Sequence, residues 1–142
     1  MNSLLKATKI TKVSGEVAAG TSAVNCTAVD MEGYEGVVFV AHLGTSNAAN
    51  GVKAQQDTAS GMGSAADLEG TQVLLDGTEE TAALEIIKPR ERYVRAVVVR
   101  GVSTTVGAVY AIQYGATTLP VDNDSSTDNS AESHVSPAEG TA

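Results

Sequence analysis

Residues 37–44, VVFVAHLG, are the stretch on which the predicted fold class depends. They form an uninterrupted apolar run rich in β-branched side chains, which is typical of a strand in the centre of a sheet. Further β-rich runs, separated by Gly, Asp, Asn and Ser, lie on both sides of it at residues 8–13, 24–29, 52–56, 71–75, 81–87, 92–100 and 106–114. The sequence therefore predicts about eight strands, and no segment of it predicts a long helix.

Two of the connections between these runs predict chain reversals. Asp76 and Gly77, a favoured turn dipeptide, separate residues 71–75 from residues 81–87, which predicts a strand, a turn and a strand. The short connection 101–105 predicts a hairpin between the last two runs. No segment offers the helical crossover that parallel strands need. We therefore expect an all-β antiparallel domain of the β-sandwich or jelly-roll type, or a barrel.

The C-terminal segment differs from the rest of the chain in composition. Residues 119–142 contain neither Lys nor Arg and no aromatic residue, and from residue 125 onward Val135 is the only sizeable apolar side chain. Such a segment buries too little apolar surface to offset the entropy of ordering it. We therefore expect a body at residues 1–118 and an extended acidic tail at residues 119–142. The tail is expected to lie against a partner chain, with Val135 as its apolar anchor and Pro137 stiffening its path.

The overall composition excludes several classes of function. The net charge is −8 and the isoelectric point is near 4.6, which disfavours nucleic acid as a partner. No window approaches the ~18 apolar residues of a membrane span, and the first residues do not resemble a signal peptide. Cys26 is the only cysteine, so neither an intrachain disulfide nor a cysteine-based metal site is expected. We expect a protein without contact to membrane or nucleic acid.

The motifs that resemble catalytic or ligand-binding sites lack the context that these sites need. Cys26 and His42 lie within predicted strands without a nucleophile elbow, and His134 lies in the tail. Residues 61–66, GMGSAA, resemble a dinucleotide fingerprint, but no strand precedes them and no long helix follows. Residues 122–133 resemble a calcium loop without its central Gly and final Glu. We therefore expect no catalytic residue, no cofactor, no metal and no enzymatic activity.

Basic residues are concentrated in residues 88–100, KPRERYVRAVVVR. One interpretation is a solvated rim of an edge strand, where charge prevents unwanted pairing. The other is a set of planar donors for the carboxylates of a partner chain, including the acidic residues 78–81 or the tail of a neighbouring copy. Phosphate binding is disfavoured by the overall acidity. The predicted protein-interface residues are Arg90, Arg92, Arg95, Arg100, Val135 and Pro137.

Several segments together resemble a known group of proteins. These are VDMEGYEGVVFVAHLGT, IIKPRERYVRAVVVRG, AIQYG and ESHVSPAEGTA, at residues 29–45, 86–101, 111–115 and 132–142. They resemble small structural proteins of tailed bacteriophages, commonly described as head decoration or cement proteins. The resemblance implies a β-sandwich or jelly-roll body on the exterior of the capsid, assembled in the host cytoplasm. It implies two partners, the major capsid protein and further copies of the chain in a dimer or trimer, and it brings no catalytic residue with it.

Two other interpretations remain open from the sequence. A neck, tail or fibre-base component of a phage particle would share most of these features. A carbohydrate-binding β-sandwich would need aromatic platforms, and the available aromatic residues are mostly within predicted strands. They are Tyr34, Phe39, Tyr93, Tyr110 and Tyr114.

Overall fold

The computed structural model describes residues 3–123, 129–136 and 138–141. Within these residues the chain forms one short helix and twelve strands. They are α1 (Leu4–Ala7), β1 (Lys9–Ser14), β2 (Val17–Gly20), β3 (Val24–Asn25), β4 (Val29–Asp30), β5 (Gly36–His42), β6 (Asn50–Asp57), β7 (Ala66–Asp67), β8 (Val73–Leu74), β9 (Thr81–Ile87), β10 (Tyr93–Arg100), β11 (Thr104–Val106) and β12 (Val109–Tyr114). The predicted all-β class is confirmed.

The strands form two main antiparallel sheets that pack face to face. The four-stranded sheet has the order β1-β12-β5-β9. The six-stranded sheet is built on the central pair β10 and β6, with β3 and β4 beside β10 and with β7 and β8 beside β6. A small pair, β2 and β11, forms a separate two-stranded sheet. This arrangement is the predicted β-sandwich.

The core lies between the sheets and follows from strand alternation. On β5, Val37, Phe39 and Ala41 are fully buried, and on β10 Val94 and Ala96 face them with no exposed surface. Most of the other core side chains are Val, Ala or Leu. The apolar run at residues 37–44 thus forms a central strand, as predicted, because its alternate side chains fill the space between the sheets.

Neither of the two predicted chain reversals joins paired strands. β8 pairs with β6 of the six-stranded sheet, whereas β9 pairs with β5 of the four-stranded sheet. Asp76 and Gly77 therefore carry the chain from one sheet to the other, with Gly77 at a φ of +104°. Likewise, β10 and β12 belong to different sheets, and the connection 101–105 contains the start of β11. The predicted hairpin across residues 101–105 is wrong, and the predicted turn at Asp76 and Gly77 leads into a strand of the other sheet, because a turn signal specifies a local reversal but not the sheet that the next strand joins.

Two predicted strands are divided. The run 24–29 forms β3 and β4, which are separated at Cys26 although the Cys26 N–H still donates to Ala96 O of β10. In the run 106–114, Val106 is the last residue of β11, and β12 begins at Val109. The two strands are separate because the Gly107 N–H donates to His42 O instead of continuing the ladder.

The beginning of the predicted tail is bound to the chain's own N-terminal segment. The Val121 N–H donates to Lys6 O at 2.8 Å. The side-chain amide of Asn123 accepts from the Ile10 N–H at 2.7 Å, and that of Asn129 donates to Ile10 O at 2.6 Å. Because β1 is an edge strand, these two amides occupy backbone positions that another strand would otherwise take. This part of the tail therefore contacts the body, whereas the sequence predicted contact with a partner chain.

Candidate protein-binding surface

The loop between β9 and β10, residues 88–92, shapes one end of the sandwich. Lys88 adopts a φ of +48°, and its N–H donates to Glu35 O at 2.8 Å, which fixes the loop beside the start of β5. On one side of the loop lies an open groove of about 570 Å³, which Met31 and Tyr34 also line. A second groove of about 440 Å³ lies on the other side. The loop therefore forms a ridge with a concave surface on each side.

Arg92 anchors this ridge to the neighbouring strand. Its Nε donates to Asp30 Oδ1 at 2.8 Å and its Nη2 donates to Asp30 Oδ2 at 2.7 Å, a bidentate arrangement. Glu32 also pairs with the guanidinium, which lies 5.4 Å from the centre of the Tyr93 ring. The hydrogen bond from Arg92 holds the pKa of the Asp30 carboxyl below its ordinary value. The charge of this predicted interface residue is therefore largely matched within the chain.

Arg90 and Lys88 are the accessible cations of the ridge. Both side chains are exposed, and Lys88 Nζ lies 3.8 Å from Glu35 Oε1, a long and exposed ion pair of little energetic weight. Within the described residues, Arg90 has no hydrogen-bond or ion-pair partner. Its planar guanidinium is thus available to a carboxylate from outside the chain.

Arg95 lies elsewhere, on the outward surface of the six-stranded sheet. Its Nε and Nη2 donate to Gln55 Oε1 at 2.8 and 2.6 Å, and Gln55 Nε2 donates to Asp67 Oδ1 at 2.7 Å. Lys53 completes the row with a contact of 2.6 Å to Asp67 Oδ2. Hydrogen bonds from Lys53 and Gln55 lower the pKa of the Asp67 carboxyl. This row ties β10, β6 and β7 together across their register.

Arg100 is placed inside the molecule and does not join the other cations. Its side chain is only 7% exposed, and its Nε donates to Ser22 O at 2.6 Å. Its Nη1 donates to Ala18 O at 2.9 Å and to Thr104 O at 3.1 Å. The predicted basic cluster is thus divided, because the donors of Arg100 bind carbonyls of its own chain.

Of the two tail residues that were predicted as interface, the structure describes only Val135. Val135 is 73% exposed, and the described residues 129–136 form no regular secondary structure. The Glu132 carboxylate lies 3.3 Å from His134 Nε2. Pro137 lies outside the described residues. Val135 is therefore an apolar side chain open to a partner.

The sequence interpretation missed an apolar surface on the outward side of the four-stranded sheet. Register places two rows of side chains across its strands. One row is Ile10, Ile112, Val38 and Glu85, and the other is Lys12, Tyr110, Val40 and Ala83. We call these eight residues the outer face. The signal was present, since residues 37–40 are apolar at every position, but we interpreted it only as the mark of a central strand.

The residues considered for catalysis do not form a site. Burial raises the pKa of the Cys26 thiol to about 11, although Arg95 partly opposes the shift, so the thiol remains protonated at neutral pH. His42 is exposed at a shallow groove that Glu16 and Thr105 also line. In the part of the chain that the structure describes, no group of three or more His, Cys, Asp or Glu side chains is arranged to hold a metal ion.

The glycine-containing loop after β6 is organised by its own carboxylate. Asp57 Oδ2 accepts from the Ser64 N–H at 2.8 Å, and Asp57 Oδ1 accepts from the Ala59 N–H at 3.1 Å. These bonds lower the pKa of the Asp57 carboxyl. The backbone donors that a phosphate would need are thus partly used by Asp57, and the sequence GMGSAA runs through the turns of this loop to Ala66, the first residue of β7.

The aromatic side chains are not arranged as a sugar platform. Phe39 is fully buried, and Tyr34 packs against the core. Tyr93 lies against Arg92, and the Tyr114 hydroxyl donates to Glu85 at 2.6 Å. Tyr110 is the most accessible of them at 38% exposed, and it is the one aromatic residue among the eight of the outer face.

No helix among the described residues has the length and apolar character that crossing a membrane requires. Comparisons of the chain with family models, with curated proteins and with solved structures find no match.

Proposed function

We propose that this chain is a virion structural protein of a tailed bacteriophage, a head decoration or cement protein that binds the outer surface of the major capsid protein lattice. The resemblance of residues 29–45, 86–101, 111–115 and 132–142 to such proteins supports the virion role. In this role the chain acts by binding and not by catalysis, and it stabilises the head by joining neighbouring subunits of the shell.

The exposed cations of the ridge at residues 88–92 carry this proposal. The chain has a net charge of −8, yet it presents Arg90 and Lys88 at one end of the sandwich, between two grooves. Such cations favour a partner surface with carboxylates, because a guanidinium binds a carboxylate through two parallel hydrogen bonds. The two hydrogen bonds from Arg92 to Asp30 hold the end of the ridge against β4, so the loop is preorganised for contact.

The tail supplies the second part of the proposed contact. Residues 129–136 have no regular secondary structure, and Val135 extends into solvent. An extended segment can lie along a large surface or add a strand to an open sheet edge of the partner. Val135 would be its apolar anchor, and Asn123 and Asn129 fix the point from which the segment leaves the body.

The number of copies in purified particles tests the virion role directly. For a decoration protein, quantitative mass spectrometry gives many copies in a fixed ratio to the major capsid protein. A neck, tail or fibre-base component, the second candidate, gives a small number set by the symmetry of that part. Absence of the chain from purified particles contradicts both candidates.

Binding to empty capsids tests the proposed contact. Arg90→Glu is expected to weaken binding strongly, while Lys6→Glu, an exposed lysine on α1, is expected to leave it unchanged. A truncation after Asn123 keeps the bonds to Ile10 and Leu5 but removes the anchor Val135, and it is expected to bind more weakly than the full chain. Binding of both variants as tight as that of the full chain contradicts the proposed contact.

A further inference from the structure

The outer face of the four-stranded sheet is apolar where a solvated sheet normally carries polar side chains. Its centre consists of Val38 and Val40 on β5 and Tyr110 and Ile112 on β12, all outside the core. Tyr110 is 38% exposed, and the other three are partly exposed. Four such side chains that meet across two central strands mark a surface that is stabilised by further burial.

The charged residues of the outer face lie at its two opposite margins. Lys12 is on β1, the first strand of the sheet order, and Glu85 is on β9, the last. They belong to adjacent rows of the register, so the outer face as a whole is neutral. The complete chain carries a net charge of −8, and two copies therefore repel each other through most of their surface. A neutral apolar face is the place where this repulsion is smallest.

We infer that the outer face binds the outer face of a second copy of this chain about a two-fold axis parallel to the strands. Such an axis places β1 of one copy over β9 of the other, because these are the two margins of the same sheet. Lys12 of each copy then faces Ala83 of the other and reaches Glu85 in the adjacent row. The contact contains two equivalent ion pairs at its margins, with Val40 packed against Tyr110 and Val38 packed against Ile112 in the centre.

The size of the face determines how strong this contact is. Four strands about 4.8 Å apart, with two rows of side chains that span about 13 Å along them, present roughly 250 Å² in each copy. The two faces together amount to about 500 Å², which is below the ~1,200 Å² of a stable specific interface. We therefore expect a weak dimer that forms with rising concentration and becomes well populated where copies are held close together on a shared surface.

Sedimentation measurements on the full chain, from micromolar to millimolar concentration, test this inference. Wild type is expected to pass from monomer to dimer, and Val40→Glu, which buries a charge in the centre, is expected to remain monomeric. Lys12→Glu and Glu85→Lys each place like charges together and are expected to weaken self-association about tenfold. The matched controls Lys6→Glu and Glu16→Lys change the same charges away from the outer face and are expected to dimerise as wild type does.

A mixture of Lys12→Glu protein and Glu85→Lys protein distinguishes this arrangement from any other dimer. In the mixed pair, one ion pair forms with its signs reversed, between Glu at position 12 and Lys at position 85, and the other forms as in the wild type, so association is expected to return to about the wild-type level. Circular dichroism confirms that each variant is folded. A wild-type chain that stays monomeric, a Val40→Glu variant that still dimerises, or a mixture without recovery overturns the inference. None of these results bears on capsid binding, which uses other residues, so the two proposals fail separately.

Discussion

Asn123 shows how one side chain can close an open sheet edge. It is 4% exposed, its Oδ1 accepts from the Ile10 N–H, and its Nδ2 donates to Leu5 O at 2.6 Å and to Thr8 O at 2.7 Å. A side-chain amide has both a donor and an acceptor, so it can replace the backbone of a neighbouring strand. Among neutral side chains, only the amides of Asn and Gln combine a carbonyl acceptor with two N–H donors.

Asn123→Ala is therefore expected to lower the free energy of unfolding by about 1–3 kcal/mol, because three buried or partly buried backbone groups lose their partner. Urea denaturation followed by circular dichroism measures this loss. Asn25→Ala, at an exposed position on β3, serves as the control and is expected to change the stability by less than about 0.5 kcal/mol. Equal stability of both variants would contradict the role of Asn123.

Tyr114 connects three strands through a single hydroxyl. Its ring lies over Gly36, where an added Cβ would clash with the hydroxyl oxygen, and the hydroxyl donates to Glu85 on β9. The hydrogen bond to Glu85 raises the pKa of Tyr114 from an ordinary value of 10.0 to about 12, with smaller effects of burial and of the charge of Glu85.

An alkaline absorbance titration is therefore expected to contain a tyrosine component that ionises near pH 12. Because the folded-state pKa is raised, this bond contributes its full stability below pH 10 and loses it as the pH rises to about 12. Tyr114→Phe is expected to remove the component, whereas Tyr110→Phe leaves it in place. A titration of the Tyr114→Phe variant that is unchanged at its alkaline end would refute the assignment.

At the scale of elements, Arg100 joins the end of β10 to the small sheet of β2 and β11. Its guanidinium binds backbone carbonyls of Ala18, Ser22 and Thr104, and Gly20 lies against it with an ideal Cβ position 3.3 Å from Nη1. The fork of donors can serve three carbonyls at once, which a lysine ammonium cannot do in the same geometry.

Arg100→Met is expected to destabilise the fold by roughly 2–4 kcal/mol, because it leaves one buried and two partly buried carbonyls without this donor. Arg100→Lys is expected to recover part of this loss. Arg90→Met, which changes an exposed arginine in the loop before β10, is expected to have little effect. Thermal unfolding of the three variants in parallel makes the comparison. A loss for Arg90→Met as large as that for Arg100→Met would contradict this assignment.

The elements also show how far the sequence could be interpreted. The long strands β5, β9 and β10 were predictable because apolar side chains recur along them at each inward position. The placement of Arg100 was predictable as well, since it shares the parity of Val94, Ala96 and Val98 and so points to the core. Strand pairing was not predictable, because Asp76 and Gly77 fix a turn without fixing the next partner. The contacts of Asn123 join residues more than a hundred positions apart, and no local pattern specifies them.

At the scale of the whole molecule, bound carboxylates determine the response to acid. The pKa values of Asp30, Asp57, Asp67 and Asp76 all lie below the ordinary 3.8, and the Asp76 carboxylate accepts hydrogen bonds from both the N–H and the hydroxyl of Thr78. For a lowered pKa, the stabilising contribution is present above pH 3.8 and is lost as the pH falls through the folded-state value. The protein is therefore expected to lose stability between about pH 4 and pH 2.

Urea midpoints measured across this range check the expectation. Asp57→Asn removes one of the four contributions, so its stability should depend less on pH than that of wild type. Glu16→Gln, at an exposed position without a hydrogen-bond partner among the described residues, should follow the wild-type curve. An Asp57→Asn variant with the full wild-type slope would show that the loop carboxylate does not contribute.

The pairing of β1 with β12 has a consequence for how the protein is made. The first strand of the chain finds its partner only in the last one, from Val109 to Tyr114, and β5 pairs with that same last strand on its other side. During synthesis, the four-stranded sheet therefore remains open until the ribosome has released nearly the whole body. Because so many of its contacts join distant positions, folding is expected to be slow and to be completed only after translation of β12.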